Sequence, residues 1–208
     1  MNAVAQIRQT FRPFFTPMLT LMTGGSDEQR SKNQNWFRLI LRSQRKGRTS
    51  LPFFLGLTPT DFYWMAVGRR YRIHDELLQG IKSKDTQPVE DTRQQLLDMR
   101  EDEWVEIRDL LVSHRAGLDN SEITMAGIVA AACLGGSHLW RDLGMPDRAS
   151  LKDLLAGNFP SLVTLNDRDM KWKKFFYKQL CELGGGYVCR APSCDVCSAY
   201  SDCFGPED

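Results

Sequence analysis

Four cysteines stand close together near the end of the chain, in the run CRAPSCDVCSAYSDC. They are Cys189, Cys194, Cys197 and Cys203, spaced C-x4-C-x2-C-x5-C. Pro192, Ser193, Asp195, Ser198 and Gly205 lie among or beside them and favour loops. A loop can turn four thiolates towards one centre, whereas a straight helix points successive side chains around its axis. Three chemistries use such a set. Disulfides need an oxidising compartment, and a chain of this size needs no staples to fold. Zinc accepts four sulfurs, and the central C-x2-C is a familiar knuckle, but structural zinc sites usually pair two knuckles across a longer segment. Iron–sulfur clusters also take thiolates and often draw them from one compact run. The spacing therefore points to a metal and favours iron–sulfur over zinc, with both left open.

Other potential ligands are sparser. Cys181 lies eight residues before Cys189 and can supply an accessory sulfur, although a small buried hydrophobe is the commoner role. Cys133 reads as core. His138 follows Gly135-Gly136, where a helix would break. Imidazole is a frequent ligand, but a lone histidine is more often a hydrogen-bonded packing residue. Upstream of the cysteine run, Arg168, Lys171, Lys173, Lys174 and Lys178 interleave with Trp172, Phe175, Phe176 and Tyr177. These cations can offset an anionic cluster or oxyanion. The plainer reading is a solvated lysine face opposite a packed aromatic one. The tail itself is acidic, through Asp195, Asp202, Glu207 and Asp208.

The elements that must position these groups read as helices. Apolar residues recur at steps of three and four, and few segments favour strands. Phe37, Ile40 and Leu41 share one helical face. Thr60 is placed to cap a helix carrying Phe62, Met65 and Ala66, and Ile73, Leu77, Leu78 and Ile81 mark another. The polar stretch IKSKDTQPVEDTRQ reads as a linker. After it, Leu96, Met99, Glu103, Ile107, Leu110, Leu111 and His114 trace one long stripe ending at Gly117. A small-residue helix follows Asn120 or Ser121, Ser150 caps another, and Asn166 opens the last long one, which Gly184 to Gly186 close. The expected fold is all-α: a compact helical domain followed by a short cysteine-rich metal-binding tail. Its parts are 1–45, of unassigned role, a helical body 46–183, and the tail 184–208.

Composition excludes other classes. The 208 residues carry 27 Lys and Arg against 26 Asp and Glu, a net charge of +1. A general nucleic-acid binder would need a basic excess. The apolar run Phe14 to Met22 is broken by Pro17 and is too short for a membrane span. A cytoplasmic location is expected. No phosphate-binding glycine loop and no G-x-S-x-G elbow is present.

Three segments together resemble the NifQ family of nitrogen-fixation proteins: AACLGGSHLWRDLGM, NFPSLVTLNDRDMKWKKFFYKQLCE and the tail CRAPSCDVCSAYSDCFGPE. The likeness runs from about Ile128 to Glu207 and is weaker over LLDMREDEWVEIRDLL and LPFFLGL, with little before residue 45. The resemblance implies a carrier and not an enzyme. It implies a molybdenum–iron–sulfur cluster held by Cys189, Cys194, Cys197 and Cys203. It also implies molybdenum delivery to the scaffold complex on which the nitrogenase iron–molybdenum cofactor is built, together with the nitrogenase iron protein, with molybdate or another molybdenum source upstream. The alternatives are a structural zinc-binding interaction module and an iron–sulfur electron-transfer protein.

Overall fold

The computed structural model describes residues 25–67, 87–183 and 200–205. The described residues are helical, with no strand among them. An isolated bridge joins Gly25 to Asp119. The helices are α1 (Asp27–Arg45), α2 (Pro59–Val67), α3 (Gln87–Asp98), α4 (Glu101–Ser113), α5 (Ser121–Cys133), α6 (Leu139–Asp142), α7 (Arg148–Asn158), α8 (Pro160–Leu165), α9 (Trp172–Leu183) and α10 (Tyr200–Phe204). None is long and apolar enough to cross a membrane.

The centre of the body is α5. Apart from Ile123, all its residues are buried. A helix without a polar face has no side to give to water, so its neighbours must surround it. The helices α4, α1 and α6 do so. Its small residues allow close approach. A Cβ on Gly56, which has φ +80°, would stand 2.2 Å from the Ala131 methyl. Trp104 donates its indole N–H to the Gly127 carbonyl at 3.0 Å.

The N-terminal end of α5 is tied down by a buried carboxylate. Glu122 accepts the backbone N–H groups of Gly117, Leu118 and Asp119 at 2.7–3.1 Å. Beside it Asp119 accepts the Arg30 guanidinium at 2.8 Å. Asn33 donates to both Ser121 Oγ and Asn158 Oδ1 at 2.8 Å, so α1 is bolted to α5 and α7. Phe37, Ile40 and Leu41 of α1 are fully buried in the common core. Residues 27–45 therefore belong to the helical body, and a boundary at 45 would cut through its packing. A helix pairs its backbone internally, so an apolar stripe this regular needs only a neighbour to bury it.

Several local expectations give way to side-chain chemistry. The cap of α2 is Thr58, whose Oγ1 accepts Asp61 N–H at 3.1 Å. Asp147, and not Ser150, caps α7, accepting Ser150 N–H at 2.7 Å. The linker expected through residue 94 is helical from Gln87. The long stripe breaks into α3 and α4 at Met99-Arg100, leaving Leu96 and Met99 exposed. Arg100 explains the break, because it reaches Glu103 and also donates to the Leu134 carbonyl at 2.7 Å. Asn166 ends α8 and does not begin α9. Its side chain brackets Met170, accepting the N–H at 2.8 Å and donating to the carbonyl at 2.9 Å. Helix α9 starts only at Trp172. The helix expected over Ile73 to Ile81 lies outside the described residues.

Candidate metal centre

Helix α9 is the element next to the cysteine tail. Trp172, Phe175 and Phe176 wedge into the core and fix its rotation. Lys174 is exposed and Lys178 pairs with Glu182 on the surface, as a solvated face predicts. Lys173 departs from that reading. It is largely buried and forms an ion pair with Asp142. Its ammonium also donates to the Gly135 carbonyl at 2.7 Å. Asp142 accepts Ser137 N–H at 3.0 Å. The α5–α6 connection is thus gripped from two sides, by Lys173 of α9 at Gly135 and by Arg100, just before α4, at Leu134.

That connection carries His138, which is the N-cap residue of α6 and partly buried. Cys133 ends α5 and is buried. Burial pushes its thiol up to about 12, against the opposing pull of Lys173. A thiol held protonated in this way is neither a nucleophile nor a ready metal ligand, so Cys133 is a core residue. Tyr177 donates to Glu103, which Arg100 grips with two bonds of 2.7 and 2.8 Å. The Arg100 hydrogen bond holds the Glu103 carboxyl below its usual range, while burial and the Glu103 bond push Tyr177 well above its own.

A pH dependence follows from Cys133. Its ordinary value is 9.0. Between that value and about 12 the unfolded thiol ionises and the folded one does not. The unfolded state then holds fewer protons, so stability falls as pH rises through 9. Each unmatched proton contributes a slope of about 1.4 kcal/mol per pH unit. Denaturant unfolding between pH 8 and 11 should show this slope in the wild type, with Cys133→Ala shallower by about that amount. Parallel curves would show that the thiol titrates alike in both states.

The cysteines divide sharply. Cys189, Cys194 and Cys197 lie outside the described residues. Cys203 sits on α10 and is partly buried. Lys171, just before α9, donates its backbone N–H to the Cys203 carbonyl at 2.8 Å. Cys181 is partly buried as well, but it lies in the last turns of α9. The helical rise puts it about 15 Å along the axis from Lys171. Cys181 and Cys203 therefore attach to opposite ends of α9. Among the described residues no three His, Cys, Asp or Glu side chains gather as a metal would require.

Sequence reasoning missed the Asp142–Lys173 and Glu103–Tyr177 pairs. One signal was present: Glu103 is a carboxylate on an otherwise apolar stripe, and such a residue needs a buried partner. Asp142 carried no comparable mark.

A protein-family model described as NifQ matches residues 36–205. The chain belongs to the NifQ family. A NifQ protein of Azotobacter vinelandii is 50% identical over 179 residues, covering 84% of this chain and 89% of the relative. A NifQ protein of Klebsiella pneumoniae is 38% identical over 172 residues, 82% of this chain and 97% of the relative. A NifQ homolog of Sinorhizobium fredii is 44% identical over 99 residues, 48% of this chain and 43% of the relative. No solved structure matches. The family's designation connects the chain with nitrogen fixation. The NifQ match begins at Trp36, inside α1, and so takes in ten residues of the segment 1–45 that spacing sets apart from the body. It extends past Cys203, so the whole cysteine run falls within the family region.

Proposed function

We propose that the chain is a molybdenum–iron–sulfur carrier that donates molybdenum for assembly of the nitrogenase iron–molybdenum cofactor. It is a carrier and not an enzyme, and the cluster is its cargo. Cys189, Cys194, Cys197 and Cys203 hold that cargo. The scaffold complex and the nitrogenase iron protein are its partners, molybdate or another molybdenum source loads it, and the cytoplasm is where it works. The observation that carries this reading is Cys203: a cysteine docked on the helical body, within the family region that contains the other three cysteines. Thiolate donors are soft and suit iron and molybdenum in a sulfur-rich setting. A ligand set near a chain end suits cargo release, because such segments open at low cost and expose the ligands to exchange.

Anaerobic purification with analysis of iron, sulfide, molybdenum and zinc tests the reading. Iron and sulfide in stoichiometric amounts, with molybdenum after supply of molybdate, are expected. Stoichiometric zinc without iron or sulfide would make the tail a structural module. A cluster that cycles its redox state and never takes up molybdenum would make the protein an electron carrier. Cys197→Ser should lower cluster affinity by at least about tenfold, the smaller loss seen when even an outer-shell partner of a metal site is removed. Wild-type iron content in that variant would place the cargo elsewhere.

A further inference from the structure

Helix α10 has five residues, Tyr200–Phe204. A helix so short does not persist in water by itself, because nucleation costs more than one turn of bonds returns. Its support comes from the residues that lead into α9. The Lys171 backbone N–H donates to the Cys203 carbonyl at 2.8 Å. The ammonium of the same residue donates to the Ser201 carbonyl at 3.1 Å. The Arg168 guanidinium lies over the Phe204 ring, 5.3 Å from its centroid, and that ring stacks on Tyr200 at 4.5 Å. Cys203 and Phe204 pack against the core. Gly205 N–H returns to the Ser201 carbonyl at 2.8 Å. A Cβ at that position would sit 2.4 Å from this oxygen, so glycine is needed to close the turn.

We propose that Lys171 is the positioning residue for Cys203. By binding the carbonyls of residues 201 and 203 together, it holds the last cysteine against the N-terminal end of α9 and presents its thiol from a fixed backbone. Arg168 supports the same helix through Phe204. The link to cargo rests on the carrier reading above. The anchoring does not, and it can be tested without metal.

The test is alkylation of the reduced, metal-free full chain by iodoacetamide, followed cysteine by cysteine by mass spectrometry. Lys171→Met should speed modification of Cys203 about threefold. Lys171→Met with Arg168→Ala should speed it about tenfold, and Lys171→Arg should restore the wild-type rate. Tenfold corresponds to about 1.4 kcal/mol of lost anchoring. Removing a cation by itself disfavours the reactive thiolate and slows alkylation, so acceleration reports exposure and not charge. Cys133 should stay protected throughout. Equal Cys203 rates in the wild type and the double variant would overturn the proposal. So would a rise at Cys203 matched at Cys133, since that is global unfolding. If these rates behave as expected but the wild-type protein supplied with iron and sulfide takes up no iron, the carrier reading alone falls.

Discussion

Replacing Asp142 with Ala is expected to lower the unfolding free energy by about 3–5 kcal/mol, the usual cost of stripping one partner from a buried ion pair. The carboxylate is 5% exposed and accepts both the Lys173 ammonium and the Ser137 N–H. Without it, Lys173 keeps only the Gly135 carbonyl as a hydrogen-bond partner at this point. Total stability of a domain is typically about 5–15 kcal/mol, so the loss would be a large share of it. Asp142→Ala with Lys173→Met should recover part of the loss, because no uncompensated charge then remains buried. Thermal and denaturant unfolding of both variants measure this. A cost under about 1 kcal/mol for Asp142→Ala would mean that the pair behaves as a surface salt bridge. The surroundings argue otherwise. A Cβ at Gly135 would lie 2.6 Å from Asp142 Oδ2 and 2.4 Å from Ser50 Oγ, so the carboxylate is enclosed by backbone and side chains.

Phe37→Ala should cost about 3–5 kcal/mol, the range for removing a buried aromatic ring and leaving a cavity. Phe37 is wholly buried, and its helix is tied to α5 and α7 through Asn33. The same reasoning predicts that a chain beginning at Lys46 will not fold, since it lacks Phe37, Ile40 and Leu41 from the core. By contrast, Lys32→Ala should change stability by less than about 0.5 kcal/mol, because its pair with Glu28 is exposed at both ends. Denaturant unfolding compares the three. If the shortened chain unfolds cooperatively with the stability of the full one, α1 is an appendage after all.

The legible part of the fold was its periodicity. Phe37, Ile40 and Leu41 were placed on one helical face from spacing alone, and all three are core. The helix after Asn120 was recognised by its small residues, and those residues do meet the close approach of Gly56. Periodicity failed where a polar side chain outranked it. The stripe through Leu96 and Met99 continues in sequence, yet Arg100 redirects the chain towards Leu134. Asn166 looked like a helix start because Asn is a good cap, but it clasps Met170 instead. A side chain can satisfy backbone groups on either side of itself, and local sequence does not say which.

The site divides along the same line. Residue types and spacing alone set out a compact run of four cysteines that points to a metal, and a helical period that the described residues follow. They also marked Cys133 as core, where burial now holds its thiol protonated. Those conclusions follow from short-range chemistry, which neighbouring residues carry in full. What tertiary structure decided was which distant groups meet. It turned Lys173 from a solvated cation into the buried partner of Asp142. It fastened Cys203 to Lys171 across 32 positions of sequence, and it put Cys181 at the far end of the same helix. Such pairings depend on how helices pack around α5, and packing is a property of the whole chain that no local spacing encodes.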